Sequence, residues 1–490
     1  MHWPHGYSSF MSGLVFKSAL EMGRLLRAGK VSSKELLQAC LDQYALHNSA
    51  VNAVVVTDID RALRAAAAAD RRWKKGEALS PFDGVPMTAK ESFDWTAHPS
   101  TWGNAKYRNN IAKTDAAAVS RLTQAGAVMW GKTNVPLDLA DWQSFNEIYG
   151  TTNNPWDLTR SPGGSSGGSA AALATGMSAL EIGSDIGASI RNPAHYCGVF
   201  GHKPTYGVVP YGGHLLPGIV MPADITVAGP LARSAKDLTA MMDVLVGSEA
   251  RGLQIKLPRS SQKTLKDFRV AVKVSSSVSE VDQAVQDKIF SAASILKKLV
   301  KKLSFEARPP FSDEEAYEIY ITLLRATASR KLTDTEYDAA VSKASTLPHS
   351  DKTYVAMMTR AFALSHRDWL RVSERRHQMR LLWDQFFEEW DVLLCPAAAS
   401  AAFPHDQVGE RHQRFIEVNG KRVSTIDQRF WAGYSCCFYL PSTVAPLGLT
   451  PQGLPTGVQI ITREYGDYTS LKFAELLEQE LGGFTSPPGY

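Results

Sequence analysis

The stretches SPGGSSGGS at residues 161–169 and GSDIGASIRNPA at residues 183–194 decide how this chain folds. They lie in a glycine-, serine- and proline-rich region, 150–232, that has only short apolar runs. A flexible linker would lack residues to bury, whereas this region intersperses Ile182, Ile190 and Phe200 among its small side chains. We therefore predict tight functional loops held on a scaffold.

The first stretch can be compared with two common loop types. A phosphate-binding loop needs Lys followed by Ser or Thr after its last glycine, and here Ser169 and Ala170 follow instead. The nucleophile-elbow pattern G-x-S-x-G matches residues 163–167 with Ser165 at its centre, but that motif needs a strand directly before the serine. Turn residues at 153–157 and 161–162 precede Ser165. The phosphate loop is excluded, and the elbow stays open as a minor alternative.

Taken together, the two stretches resemble the amidase signature family, in which a glycine-serine loop precedes a segment of the form D-I-G-x-S-I-R-x-P. Further segments are similar to the family in the same order, at 27–35, 52–54, 84–90, 131–134, 150–157, 202–207, 229–234 and 453–459. The similarity spans nearly the whole chain apart from roughly 250–385. It implies a serine hydrolase that needs neither a cofactor nor a metal.

The resemblance implies three catalytic residues. Ser189, the serine of S-I-R, is the implied nucleophile, Ser165 the proton relay and Lys90 the base. A lysine accepts a proton only when it is neutral, so its reference pKa of about 10.4 must fall by ~3 units. Burial has this effect on a lysine, and we therefore expect Lys90 to be buried. We also expect a cis peptide bond between Gly164 and Ser165.

The turn before Ser189 is predicted to stabilise the oxyanion of the reaction. The expected donors are the backbone N–H groups of Ile186, Gly187, Ala188 and Ser189. Ala188 stands where the family most often has glycine, so we expect its φ angle to stay negative.

Three polar residues around this turn are expected to support it. Asp185 and Arg191 are predicted to anchor the turn, with contact to substrate as the alternative, and Ser166 to add hydrogen bonds. His195 and His202 are expected to be structural. Two further departures from the family pattern, Glu91 and Asn192, bear on the range of substrates rather than on activity.

Outward from these loops, helical and strand patterns alternate. Two helices are predicted over Lys17 to about Ala45, the second beginning at Ser32, and a short strand ends near Lys90. This alternation predicts an α/β class with a mixed, mostly parallel central sheet sandwiched by helices. We expect one domain over 1–490, with a core at 60–245 and 386–490 and a more variable, helix-rich insertion at about 250–385.

The densest basic cluster is expected to lie on the solvated face of an amphipathic helix over Val281 to Leu303. Its members are Lys297, Lys298, Lys301 and Lys302.

Composition excludes several classes of protein. The 490 residues carry 53 basic against 49 acidic side chains, too even a balance to indicate a nucleic-acid binder. No apolar run is long enough to span a bilayer, so we expect a protein without membrane contact. The five cysteines lack disulfide-framework or zinc-site spacing, and residues 1–20 lack a secretion signal. We expect a cytoplasmic monomer or homodimer.

The substrate is expected to be a small amide, anilide or carbamate with an apolar or aryl group, cleaved through an acyl-enzyme. The pattern is also similar to soil-derived amidases that act on carbamates, including urethanes. The expected pocket residues are Trp142, Phe145, Tyr206, Leu215, Leu216 and Trp431. Two alternatives stay open: the glutaminase subunit of a tRNA-dependent amidotransferase, which would need a charged pocket, and an inactive amidase-like binding protein.

Overall fold

A computed structural model describes residues 13–248 and 253–490 of the chain. Two earlier expectations fall partly outside the described residues. They are the lack of a secretion signal in residues 1–20 and the start of the insertion at about residue 250. The described part is built on one sheet of eleven strands in the order β1-β3-β2-β6-β8-β7-β14-β15-β11-β9-β10. Their bounds are β1 Val54–Thr57, β2 Pro86–Lys90, β3 Val128–Thr133, β6 Leu180–Asp185, β7 Phe200–Lys203, β8 Val227–Ala232, β9 Arg269–Val272, β10 Lys302–Ser304, β11 Val392–Pro396, β14 Ser442–Leu449 and β15 Pro455–Ile461.

Two short antiparallel pairs lie outside this sheet. They are β4 Phe145–Asn146 with β5 Gly150–Thr151, and β12 Phe415–Val418 with β13 Lys421–Ser424.

The mixed sheet is confirmed, but parallel pairs are fewer than predicted. Within the described residues four neighbouring pairs are parallel, β2 with β3 and β6, and β9 with β10 and β11. The other six are antiparallel. Antiparallel strands need no crossover helix, so β14 reaches β15 through the turn at 450–454 alone.

Helices cover both faces of the sheet, which gives the expected α/β sandwich. They are α1 Ala19–Arg27, α2 Ser33–Val51, α3 Ile59–Lys75, α4 Ala117–Gln124, α5 Gly167–Ala174, α6 Arg191–Cys197, α7 Ala235–Leu245, α8 Gln283–Leu296, α9 Asp313–Ala328, α10 Asp334–Thr346, α11 Tyr354–Phe362, α12 His366–Glu389, α13 Arg429–Cys436 and α14 Asp467–Leu481. The predicted start of α2 is confirmed, since Ser32 and Glu35 form a capping box. None of the helices in the described ranges has both the length and the apolarity to cross a bilayer.

The predicted helix over Val281 to Leu303 is too long. The helix α8 ends at Leu296, Lys297 caps it, and Lys302 begins the edge strand β10, which pairs with β9. The four lysines therefore lie on the cap, the connecting turn and the strand rather than on one helix face. The helical spacing failed here because a three-residue strand is too short to show its own period.

The expected insertion is helix-rich, with helices α8 to α12, but it also contributes the strands β9 and β10 to the main sheet. The division into a core and a more variable insertion stays a prediction.

The sheet order brings the two decisive segments together. The parallel strands β2 and β6 are neighbours, with Ala89 opposite Ile182. Lys90 ends β2, and Ser184 and Asp185 end β6, so all three lie at the same edge of the sheet. This arrangement follows from parallel pairing, because the carboxyl ends of neighbouring strands meet at one edge.

Candidate active site

Lys90 is the centre of the site. Its side chain is fully buried, and Nζ donates to Ser165 Oγ at 2.6 Å and to Ser184 Oγ at 2.9 Å. Burial lowers the pKa of Lys90 to about 7, because desolvation disfavours the ammonium form, and the carboxylate of Asp185 offsets this only in part. The expected burial is confirmed, and Lys90 can exchange a proton near neutral pH.

Ser165 lies in the loop before α5, and the predicted cis peptide bond at Gly164–Ser165 is present. The preceding strand, β5, ends at Thr151, so within the described residues no strand leads directly into Ser165 and the nucleophile-elbow alternative is wrong. Asn192, one of the departures from the family pattern, accepts a hydrogen bond from the N–H of Gly164 at 3.3 Å through its side-chain oxygen. Asn192 therefore positions this loop.

Ser189 lies on the wall of the cavity that Ser165 also lines, and it is 5% exposed. The two loops are joined by the backbone, since Ser166 N–H donates to the carbonyl of Ser189 at 3.1 Å. Within the described residues no hydrogen bond links the Ser165 and Ser189 hydroxyls. The Oγ atom of a serine can occupy three staggered positions about the Cα–Cβ bond, so this contact depends on rotamer rather than on the fold.

The expectation for Ala188 is wrong in two respects. Its φ angle is +69°, in the left-handed region, and its N–H donates to Asp185 Oδ1 at 2.9 Å. The same carboxylate accepts from the N–H of Ile190 at 3.0 Å, so it holds the turn in a conformation that alanine alone disfavours. Because the Ala188 N–H is engaged, the oxyanion proposal is reduced to Ile186, Gly187 and Ser189.

Two side chains orient the remaining part of this turn. The hydroxyl of Tyr320 donates to the carbonyl of Ile186 at 3.1 Å, and Trp142 Nε1 donates to the carbonyl of Gly187 at 2.8 Å. A peptide unit is planar, so fixing the Ile186 carbonyl also fixes the direction of the Gly187 N–H. No local pattern indicates the contribution of Tyr320, because it comes from the distant helix α9.

Asp185 and Arg191 form the anchor that we expected. Both side chains are buried, and Arg191 donates to Asp185 through Nε at 3.0 Å and through Nη2 at 2.9 Å. Arg191 also binds the Ala432 carbonyl, Ser435 Oγ, Gln459 Oε1 and Cys436 Sγ. Burial alone would raise the pKa of Asp185, but Arg191 holds it well below its ordinary value. Ser166 supports the same region through the hydrogen bond to Ser189.

Two polar residues near Lys90 were not predicted. Ser184 is the second partner of Lys90, and its position on β6 beside β2 is visible only once the two strands are paired. His214 is fully buried on the cavity wall, where its Nε2 lies 2.9 Å from Ser92 Oγ. Burial lowers the pKa of His214 well below its ordinary value, and the nearby Lys90 adds to this effect.

His195 and His202 have structural contacts, as expected. The N–H of Gly457 donates to His195 Nδ1 at 2.8 Å, and His202 lies between Thr443 and Asp467. Among the described residues no three His, Cys, Asp or Glu side chains come together in a way that could hold a metal ion.

A cavity of about 280 Å³ opens at Ser189, and the predicted residues Trp142, Leu215 and Leu216 line it. Trp102 also lines it. The backbone N–H of Trp102 donates at 2.9 Å to the carboxylate of Glu91, which is one of the departures from the family pattern. Glu91 thus shapes the cavity without entering it.

Three other predicted pocket residues lie elsewhere. Phe145 is on β4, beside the guanidinium of Arg414, and Tyr206 stacks on Tyr439 with ring centroids 4.5 Å apart. Trp431 is fully buried, whereas Ala432, the next residue, packs on Trp142 and Ala188. One residue turns a helix by about 100°, so Trp431 points into the core and the small Ala432 faces the site.

The cavity is more charged than expected. Eight charged residues line it in addition to the apolar ones: Asp138, Asp141, Asp185, Arg325, Arg330, Lys331, Arg411 and Arg429. The expectation of an apolar and aromatic pocket therefore describes only part of the wall.

Comparison with known proteins agrees with this geometry. A family model described as amidase matches residues 35–471. One subunit of the glutamyl-tRNA(Gln) amidotransferase of Anaeromyxobacter sp. strain K is 31% identical over 96% of this chain and 97% of that protein. An acylamidase of Rhodococcus erythropolis is 31% identical over 95% of each chain.

The crystal structure of a bacterial aryl acylamidase of the amidase signature family has the same fold. It superposes with a TM-score of 0.80 at 24% identity and covers 95% of this chain and 96% of that one. With the family match over most of the sequence, the conclusion is that this chain belongs to the amidase signature family and is a hydrolase that acts on amides.

Proposed function

We propose that this protein cleaves the C–N bond of small amides through an acyl-enzyme, with Ser189 as nucleophile, Ser165 as proton relay and Lys90 as base. The observation that carries the proposal is Lys90: its buried Nζ lies 2.6 Å from Ser165 Oγ, and its pKa is about 7. An ordinary lysine is charged at neutral pH and accepts no proton.

In the acylation step, Ser189 Oγ attacks the amide carbonyl carbon while its proton passes to Ser165 Oγ, whose own proton passes to Lys90 Nζ. The negative charge that forms on the carbonyl oxygen faces the N–H groups of Gly187 and Ser189, with Ile186 beside them. When the C–N bond breaks, the proton returns through Ser165 to the leaving nitrogen. Water then attacks the ester and restores Ser189.

The cavity supports a small substrate with an apolar or aryl part. A volume of about 280 Å³ is near the lower limit for small-molecule sites, and Trp102, Trp142, Leu215 and Leu216 form its apolar wall. Carboxamides, anilides and carbamates, including urethanes, share the planar carbonyl that the mechanism needs. Carbamate and ester cleavage are included in the proposal only because these compounds carry the same kind of carbonyl group.

A labelling experiment tests the mechanism. We expect a fluorophosphonate to modify the wild-type protein covalently and to leave the Ser189→Ala variant unmodified. An equally labelled variant would assign the nucleophile to another residue. A wild-type protein that is neither labelled nor active would favour the inactive binding protein instead. A panel of an anilide, a primary amide, a carbamate and an ester then ranks the bonds by kcat/KM.

The charged residues of the cavity wall support a second candidate function. A glutaminase must hold the ammonium and carboxylate groups of glutamine, and acidic and basic side chains both line this cavity. Similarity to one chain of an amidotransferase points the same way. If the purified chain hydrolyses a p-nitroanilide and ignores glutamine, the glutaminase proposal fails; the opposite result replaces the first proposal.

The proposal includes the cellular compartment and the oligomeric state of the protein. The five cysteines are buried and unpaired, which agrees with a reducing compartment such as the cytoplasm. A monomer or homodimer is proposed, and size-exclusion chromatography with light scattering tests it.

A further inference from the structure

Three arginines converge on one wall of the cavity. Arg325 comes from helix α9, Arg411 from the turn before β12, and Arg429 from the first turn of α13. All three line the cavity that holds Ser189, and Arg429 is only 6% exposed. We call these three residues the arginine cluster.

None of the three guanidinium groups has an acidic partner among the described residues. Buried nitrogens of Arg325 (Nε and Nη2) and Arg411 (Nε) have no hydrogen-bond acceptor there, and Arg429 takes part in no ion pair. The ring of Tyr354 lies 5.4 Å from the Arg325 guanidinium and is its one aromatic contact in this part of the structure. Arg429 is buried, and Arg325 and Arg411 are half-buried. Charges that are withdrawn from water are normally paired, so three unpaired guanidinium groups at one site require an explanation.

The acids on the same cavity wall are engaged elsewhere. Asp141 binds Arg414 at 2.5 Å, Asp138 accepts from Asn104 at 2.9 Å, and Asp185 belongs to the Arg191 anchor. None of these three carboxylates could move to pair with the arginine cluster without breaking the bond to its present partner.

The electrostatic effect of the cluster is visible on its neighbours. Burial and the repulsion from Arg429 and Arg325 lower the pKa of Arg411 to about 9, and Tyr354 and the carboxylate of Asp141 offset this only in part. Burial alone would raise the pKa of Tyr354, but the three arginines lower it below its ordinary value. The wall therefore has a positive potential that favours a bound anion.

The cluster lies next to the turn that precedes the nucleophile. A Cβ atom built on Gly187 would lie 3.7 Å from Arg429 Nη1. A group that binds the guanidinium of Arg429 is therefore within a few bonds of a carbonyl placed at Ser189.

From this arrangement we infer that the natural substrate is an amide that carries a carboxylate, which the arginine cluster binds, while Trp102, Trp142, Leu215 and Leu216 contact its apolar part. The inference rests on the proposed amide hydrolysis and adds the class of substrate. A guanidinium binds a carboxylate through two parallel N–H···O bonds, which a neutral amide cannot replace.

Binding is measured first, without catalysis. Calorimetric titration of the full-length Ser189→Ala protein with succinate is compared with the same titration of Ser189→Ala/Arg429→Gln. We expect the Kd for succinate to rise by about 10-fold or more in the second protein, since a charge-assisted pair is lost. Arg371→Gln in the same background is the matched control, because Arg371 is exposed on α12 and pairs with Asp368.

Turnover is measured next with two matched pairs of substrates. Succinanilic acid is compared with butyranilide, and 4-acetamidobenzoate with acetanilide, so that the carboxylate lies on the acyl side in one pair and on the amine side in the other. We expect at least one carboxylate substrate to exceed its neutral partner by about 10- to 100-fold in kcat/KM. That ratio should fall toward one in Arg429→Gln and in Arg411→Gln, the second variant serving where the first does not fold.

Each contrary result overturns the inference. These are a ratio near one in the wild-type protein, a ratio that Arg429→Gln leaves unchanged, and an equal loss for both members of a pair, which would place Arg429 in the reaction itself. Inorganic phosphate that competes more strongly than succinate overturns the carboxylate assignment. Succinate binding without hydrolysis of any anilide overturns the proposed function and leaves the carboxylate site standing, whereas hydrolysis without succinate binding does the reverse.

Discussion

The Asp185–Arg191 anchor and the arginine cluster both place guanidinium groups next to the same turn, but in opposite states. Arg191 has a carboxylate and four further acceptors, and its pKa lies above the ordinary value of arginine because of Asp185 despite its burial. The arginine cluster has no carboxylate, and the pKa of Arg325 and Arg411 is lowered. A satisfied buried cation holds structure in place; an unsatisfied one is available to a ligand.

Removal of the nucleophile, which lies on the turn that the anchor holds, should abolish hydrolysis and leave binding at the arginine cluster unchanged. We expect Ser189→Ala to lower kcat by about 10⁴-fold or more, since members of a relay that act as a unit lose most of the rate together. The Kd for succinate should stay within about twofold of that of the wild-type protein. The measurements are single-turnover hydrolysis and calorimetry, and a variant that keeps a tenth of the activity would contradict this assignment.

Neutralising the anchor should cost stability. Asp185→Asn leaves the positive charge of Arg191 buried without its counter-charge, which typically costs about 3–5 kcal/mol. The apparent Tm, followed by calorimetry at one scan rate, should therefore fall by several degrees.

Arg429→Gln is the matched change on the other side of the comparison. It removes a buried charge that has no acidic partner, so the apparent Tm should stay the same or rise slightly. If this variant loses as much stability as Asp185→Asn, the two regions are alike and the contrast between a satisfied and an unsatisfied cation is wrong.

The pH dependence of kcat, which is set by Lys90, should differ from that of KM, which is set by the arginine cluster. Lys90 must be neutral to accept the serine proton, and its pKa is about 7, so kcat should be constant above that pH and fall about tenfold for each pH unit below it. The KM for a carboxylate substrate should change little between pH 6 and 8, because the pKa of Arg411 is about 9 and substrate carboxylates are ionised throughout. A steep change in KM over this range would contradict the second half of the prediction.

The sequence pointed to the segments that meet at Ser189 but gave no sign of the arginine cluster, for a physical reason. Lys90, Ser165, Asp185 and Ser189 belong to segments whose local pattern is specific, and the neighbouring strands β2 and β6 bring them together. The arginine cluster draws one residue from each of three distant segments, and a single arginine on a helix or turn has no pattern that distinguishes it from a solvated one.

The pocket predictions failed on a finer scale. Trp431 and Ala432 differ by one position on α13, yet one is in the core and the other faces the site. Aromatic character predicted the wrong residue because the rotation of the helix, and not residue type, decides which side chain packs against Trp142 and Ala188 at the site.

Ala188 gives the smallest effect and the finest test of the anchor. Its φ of +69° costs alanine about 1–2 kcal/mol, whereas glycine adopts that conformation freely but loses part of the gain to the greater freedom of the unfolded chain. We expect Ala188→Gly to raise stability by at most ~1 kcal/mol in the wild-type background, measured as a small rise in apparent Tm. In the Asp185→Asn background the carboxylate no longer holds the turn, which can then relax away from the left-handed conformation. Ala188→Gly should therefore raise the stability by a smaller amount in that background. An equal gain in both backgrounds would mean that Asp185 does not impose the conformation of Ala188, and the anchor would then act on Arg191 alone.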